Sequence, residues 1–198
     1  MSLVPLWLKK IEMKQVEDSE ILLKFSVEKT RNEAFNILLN KYQQKIYWHI
    51  RRLVIDHNDT DDLVQESFVK VWKNLANFRS DSQLYTWIYR IATNESITFL
   101  NKKKLKNNIS LDDVSGELAE SLTAAHYFDG DRIQRKLQEA VLTLPEKQRI
   151  VFNMKYFDNM KYDEISEVLG TSVGALKASF HIAVKKIESI LTNDELEY

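Results

Sequence analysis

Three clustered carboxylates, Asp61, Asp62 and Glu66, and four histidines, His49, His57, His126 and His181, could in principle hold a metal ion or move a proton. Their arrangement does not suit either task. A helical metal enzyme needs a second acidic cluster facing the first, and the sequence offers none. Read as a calcium loop, Asp56 to Ser67 puts Asp61 where the turn glycine belongs and Ser67 where the final glutamate belongs. The histidines are scattered and form no ligand spacing. With no cysteine anywhere, disulfides, thiolate metal sites and a Cys nucleophile are excluded. No enzyme activity and no cofactor are expected.

The chemistry that does fit is recognition of nucleic acid. Tyr162 to Leu176 has the anatomy of a helix-turn-helix. Ile165 and Leu169 are four apart and share a face that can pack on Leu176 across the corner. Gly170 falls where the chain must leave the first helix with positive φ. Ser172 is a good N-cap for a second helix over about 173–189. The apolar set of that helix, Val173, Leu176, Phe180, Ala183, Val184 and Ile187, faces inward. Ser172, Lys177, Ser179, His181, Lys185 and Lys186 remain for a major groove. The same spacing also describes an ordinary αα-corner with solvated lysines.

The elements that must position these residues are all helical. Four glycines and two prolines in 198 residues are too few for the turns of a sheet protein. Helical spacing predicts helices over 18–29 and 31–55, and a turn rich in capping residues over 56–61. Another helix carries Val64, Phe68, Val71, Trp72 and Leu75 on one stripe. A polar loop from Phe78 to Gln83 follows, and then a helix from Leu84 to about Lys103 with Leu84, Ile88, Ile91 and Ala92 on its buried face. Further helices are expected over 132–143 and, starting at Pro145, over 146–157. No apolar run is long enough to span a membrane, and a cytoplasmic location is expected.

Formal net charge is −1, but it is distributed unevenly. Residues 30–104 and 132–187 each carry four surplus cations, whereas 105–131 and 188–198 carry surpluses of five and four carboxylates. The reading is therefore all-α: two small helical domains, 18–104 and 132–190, joined by a flexible acidic linker over 105–131. An N-terminal extension over 1–17 and an acidic tail over 191–198 flank them. Fully extended, the linker could reach roughly 90 Å at about 3.3 Å per residue. Met13-Lys14-Gln15 offers a second start, so that residues 1–12 read as a translated leader.

Asp61 to Trp72 and Phe78 to Asn94 together resemble region 2 of the extracytoplasmic-function (ECF) sigma factors of the sigma-70 family. Leu144-Pro145-Glu146-Lys147-Gln148-Arg149, followed by Tyr162 to Ile187, resembles region 4. The resemblance implies a promoter-specificity subunit of RNA polymerase that recognises −35 and −10 elements and promotes melting. It implies docking of Asp62, Gln65, Glu66 and Lys70 on a coiled coil of the largest core subunit, although the same residues also suit a solvated polar face. Phe78, Arg79, Ser80, Asp81, Ser82 and Asn94 would line a pocket for one flipped base of a single-stranded −10 element. A stacked base is worth about 1–3 kcal/mol. Tyr85, Tyr89 and Arg90 are further candidates there but suit packing within the domain equally well, Trp72 and Trp87 are assigned to the core, and Lys102, Lys103 and Lys104 would meet phosphates, although a lysine run also suits mere solubility. Region 4 would read the −35 duplex and grip the flap of the second core subunit. An anti-sigma partner, common in this group, is possible; no membrane insertion is implied.

Two departures from the family stand out. Ser179, Ile182 and Val184 occupy places where its recognition helices often carry arginine, the residue suited to bidentate contact with guanine. Ser80 stands where the family often has glycine. A helix-turn-helix regulator acting without polymerase is the alternative, but it leaves the Phe78–Asn94 match unexplained and lacks dimer-forming heptads.

Overall fold

The computed structural model describes residues 16–107 and 132–195. The proposed leader, most of the proposed linker and the last three residues lie outside them. The described residues form helices without a strand, in the order α1 (Asp18–Ser26), α2 (Arg31–Val54), α3 (His57–Asn74), α4 (Leu84–Asn107), α5 (Arg132–Leu142), α6 (Glu146–Phe152), α7 (Tyr162–Leu169) and α8 (Val173–Glu195). Short 3-10 turns cover Glu28–Thr30 and Leu75–Asn77, and a π turn, Asn153–Phe157, continues α6. By packing, the chain divides within α2, into residues 1–41 and 42–198.

In the first unit, the expected single helix over 18–29 is broken. Its α-helical part ends at Ser26, and Thr30 Oγ1 donates to the Lys24 carbonyl at 2.7 Å to cap the end. Ile21 and Phe25 of α1 and Ala34 and Leu38 of α2 are buried, with Phe25 and Phe35 tilted at 6.5 Å. Lys41 Nζ donates to the Val16 carbonyl (2.7 Å) and to Asp18 Oδ1 (2.8 Å), tying the start of α1 to α2.

In the second unit, α2 ends at Ile55, a β-branched residue held at φ 68° whose N–H donates to the Arg51 carbonyl at 2.9 Å. Full burial of its side chain offsets this costly conformation. The expected turn over 56–61 is shorter than the sequence suggests. Asp56 alone is the N-cap, accepting from the Asp59 N–H at 2.9 Å, and α3 starts at His57. Val64, Phe68, Val71 and Leu75 are buried as expected, together with Leu63, and α3 packs along α4 through Leu84, Ile88 and Ala92. Trp72 and Trp87 are only half-buried.

Residues 132–195 form a second helical region around Ala140, Val141, Leu144, Phe152, Ala183 and Ile187, with Phe180 and Val184 packed against them. Phe152 and Phe180 stack at 5.8 Å, fixing α8 on α6. Gly170 lies at φ 62° in open space, so its requirement is the left-handed backbone rather than room for a close neighbour. Sequence pattern left the orientation of the two helical regions open. In the structure α7 packs along α4, and the loop after the π turn reaches α2.

Candidate nucleic-acid interface

Helix α8 is anchored by one row and leaves another free. Leu176, Ala183 and Ile187 are buried, whereas Lys177, His181 and Lys185 are exposed. Ile165 is fully buried on α7, and the Gly170 N–H closes that helix on the Ser166 carbonyl at 2.9 Å. Ser172 Oγ accepts from the Ala175 N–H at 3.4 Å, a long N-cap bond. Lys177 Nζ lies 5.8 Å from the centre of the Tyr162 ring, a cation–π placement that steadies the side chain without consuming its charge. Lys186 is committed differently: its ammonium donates to the Thr143 carbonyl at 2.7 Å, on the turn after α5. Ser179 is half-buried in a cleft of about 720 Å³, with Ala175, Ala178 and Ile182 of α8 facing Asn101 and Lys104 of α4.

The loop before α4 is pinned at its start and open at its middle. Phe78 is half-buried against Trp87, ring centres 5.2 Å apart. Arg79, Ser80 and Asp81 are exposed, Ser82 is half-buried, and Asn94 is exposed further along α4. Ser80 lies at φ 57°, the left-handed conformation that glycine adopts without cost. A glycine at this place would adopt the same backbone without that cost.

Tyr89 is not available to a base. Its side chain is buried beside Tyr85, ring centres 4.5 Å apart. Burial pushes the Tyr85 phenol up to about 12 and the Tyr89 phenol higher still, with the Asp158 carboxylate adding to both. Arg90 is exposed. Of the three consecutive lysines, Lys102 is exposed, Lys103 is 3.3 Å from Asp59, and Lys104 is paired with Glu146 at the start of α6. Asp62, Gln65 and Glu66 are exposed on α3, and Lys70 pairs with Glu95 of α4 at 2.5 Å.

A third group was not anticipated. Asp158, after the π turn, is almost completely buried with His49 and Arg52 of α2 around it. His49 Nδ1 lies 2.7 Å from Asp158 Oδ2, Arg52 donates to Oδ1, and His49 Nε2 lies 2.9 Å from Thr93 Oγ1. No motif could have announced this cluster, because its partners are about a hundred positions apart. Arg149, also buried, keeps an unpartnered Nε, and burial lowers its pKa against the opposing pull of Glu146. Among the described residues no group of His, Asp and Glu is arranged to hold a metal ion, and no helix is long and apolar enough to cross a membrane.

A bundle carrying an exposed polar loop, followed by a helix-turn-helix region, is the pattern of the sigma-70 proteins, and comparison bears this out. The family model for sigma-70 region 2 matches residues 38–106, and that for sigma-70 region 4 matches 134–187. The chain is 30% identical to the RNA polymerase sigma-H factor of Pseudomonas aeruginosa over 89% of its length and 95% of that protein. It is 30% identical to the ECF RNA polymerase sigma factor SigW of Bacillus subtilis, covering 78% of this chain and 87% of that one. Two solved folds are similar at a TM-score of 0.63. One is CnrH in complex with the cytosolic domain of CnrY (23% identity, 88% of this chain, 96% of that chain). The other is the sigma factor RpoE with the anti-sigma factor NepR from Bartonella quintana (18%, 84% and 98%). The chain belongs to the ECF group of the sigma-70 family, the subunits that give RNA polymerase its promoter specificity.

Proposed function

We propose that this sigma factor attaches to core RNA polymerase through the exposed face of α3, with Asp62, Gln65 and Glu66 at its centre and Lys70 beside them. The 78–83 loop takes one unpaired base of the −10 element. Phe78 braces the loop, while Arg79, Ser80, Asp81, Ser82 and Asn94 offer hydrogen bonds and Lys102 meets a phosphate. Lys103 and Lys104 join it only after leaving their carboxylate partners. Helix α8 enters the −35 major groove with Lys177, His181 and Lys185 leading, while Ser172 and Ser179 make shorter contacts and Lys186 a peripheral one. Melting follows because a base held in the loop is lost to the duplex. The action is cytoplasmic and uses no catalytic residue or cofactor.

The observation that carries this reading is the exposed cationic row of α8, set opposite its buried Leu176, Ala183 and Ile187 row. Phosphate attraction dominates such a contact, so sequence discrimination at −35 is modest without arginine. The test is run-off transcription by core polymerase on fragmented genomic DNA. Discrete new start sites that require the protein support the reading. A protein that shifts duplex DNA yet forms no complex with polymerase refutes it in favour of a stand-alone regulator. An anti-sigma partner is a second proposal, supported by the fold shared with two proteins solved in complexes, one of them named as an anti-sigma complex.

A further inference from the structure

We propose that the crevice where residues 157–158 meet α2 and α4 is a binding site for a small anion carrying one aromatic ring. It shares no residue with the docking face of α3, the 78–83 loop or the exposed row of α8, and it does not rest on the promoter reading. On α2, Lys45, Trp48 and Arg52 line it, three and then four positions apart. That spacing puts them on one face of the helix, with an aromatic ring between two cations. Tyr85 and Tyr89, four apart on α4, contribute further rings, and Phe157 and Asp158 complete the lining. Lys45 is exposed whereas Tyr89 is buried, so the crevice runs from a solvated cation to an aromatic floor. Its volume is about 250 Å³, a little below the roughly 300 Å³ at which pockets for drug-sized ligands begin. One ring with a short polar group fits that space, and a peptide or a nucleotide chain does not.

The unused groups set the sign of the ligand. Asp158 brings the lining's single carboxylate, and both its oxygens are already engaged, one by His49 and one by Arg52. Arg52 commits one terminal nitrogen to that pair and lies over the Phe157 ring at 5.0 Å, yet its Nε is buried without a hydrogen-bond partner. A buried donor left in that state is rare in a folded protein, and an acceptor placed beside it removes a real cost. Lys45 holds its ammonium 5.9 Å from the centre of the Tyr85 ring and enters no ion pair among the described residues. A cationic ligand would meet two like charges and a carboxylate already neutralised. Burial pushes the Tyr85 phenol up to about 12 and the Tyr89 phenol higher still, so both stay neutral at ordinary pH and do not repel an anion. A ring bearing a carboxylate uses every part: its face rests on the aromatic lining, Lys45 attracts its charge, and Arg52 Nε donates to its oxygen.

The probe is 4-fluorobenzoate, titrated into the full chain and followed by fluorine NMR. It should bind saturably, and the neutral 4-fluorobenzyl alcohol and the cationic 4-fluorobenzylammonium should each bind at least about tenfold more weakly. Lys45→Glu changes an exposed position and should weaken the benzoate about fivefold or more while circular dichroism stays that of the parent. Trp48→Ala, which removes a ring and leaves both cations, should weaken it as well. A ligand that binds only the folded chain raises its melting temperature. The benzoate should therefore raise that of the parent and leave that of Lys45→Glu in place. No saturable binding, equal affinity for the alcohol, or full affinity in Lys45→Glu overturns the site. Transcription enters none of these readouts, so the promoter reading and this site stand or fall separately.

Discussion

His49 Nδ1 and Asp158 Oδ2 meet at 2.7 Å across 109 positions of sequence, with both side chains almost wholly shut off from solvent. Thr93 Oγ1 donates to the Tyr89 carbonyl at 2.7 Å and lies 2.9 Å from His49 Nε2. The ring is thereby held from both edges, and the Asp158 carboxylate, with Asn153 on the Arg52 carbonyl and Phe157 under the Arg52 guanidinium, registers the far helical region on α2.

Replacing that carboxylate strands two partners at once. Removing one member of a buried ionic group typically costs about 3–5 kcal/mol. Asp158→Ala is expected to lose stability of that order, as an early transition in urea that precedes melting of the two helical cores. A single transition within about 1 kcal/mol of the parent would mean that water replaces the carboxylate without cost.

Ser80 is a backbone problem rather than a side-chain one. A non-glycine residue in the left-handed region costs about 1–2 kcal/mol, and glycine gives back about 0.4–1 kcal/mol through the unfolded chain. Ser80→Gly is therefore expected to stabilise the protein by up to about 1 kcal/mol, and Ser80→Val to destabilise it. Urea midpoints decide the matter. A loss in the glycine variant would show that the serine hydroxyl, not the turn, matters here.

Alkaline stability follows from the tyrosine pair. Burial raises the Tyr85 phenol from 10 to about 12, so the folded chain keeps a proton that the unfolded chain releases. The stabilisation is complete below pH 10 and is lost as the pH rises from 10 to about 12. About 2 kcal/mol should disappear across that window on account of Tyr85, allowing for its partial exposure. Tyr85→Phe should flatten this part of the profile in urea titrations. A profile equally steep in the variant would place the alkaline sensitivity in other groups.

Much of this molecule is legible in the sequence because its signals are local. The stripe Val64, Phe68, Val71 and Leu75, the positive φ of Gly170 and the inward row Leu176, Ala183 and Ile187 each depend on spacing within one or two elements. The failures are equally physical. Thr30 ends α1 early by bonding back to the Lys24 carbonyl, and residues 57–61 look like a turn because capping residues continue inside the helix they start. Tyr89, Lys104 and Lys186 give no local sign of their partners, because Tyr85 and Asp158, Glu146, and the Thr143 carbonyl become neighbours only through tertiary packing. The aromatic loop and the lysine row could be found from their types, whereas the Asp158 cluster has no local signature.

Lys177 and Lys186 separate the two kinds of lysine on α8. Lys177 projects into solvent above the Tyr162 ring, whereas Lys186 is bonded to the Thr143 carbonyl. If α8 lies in the −35 groove, Lys177→Ala should weaken duplex binding on any sequence and reduce the slope of log affinity against log salt by about 0.9, the value for one released phosphate contact. Lys186→Ala should instead leave the salt slope nearly intact. It should cost about 1 kcal/mol of stability, because the carbonyl it serves must find water. Fluorescence anisotropy over a salt series, with urea melts of both variants, measures the four quantities. An unchanged slope for Lys177→Ala at low salt would remove that face of α8 from the DNA, and a full unit lost with Lys186→Ala would show that its bond to Thr143 gives way on binding.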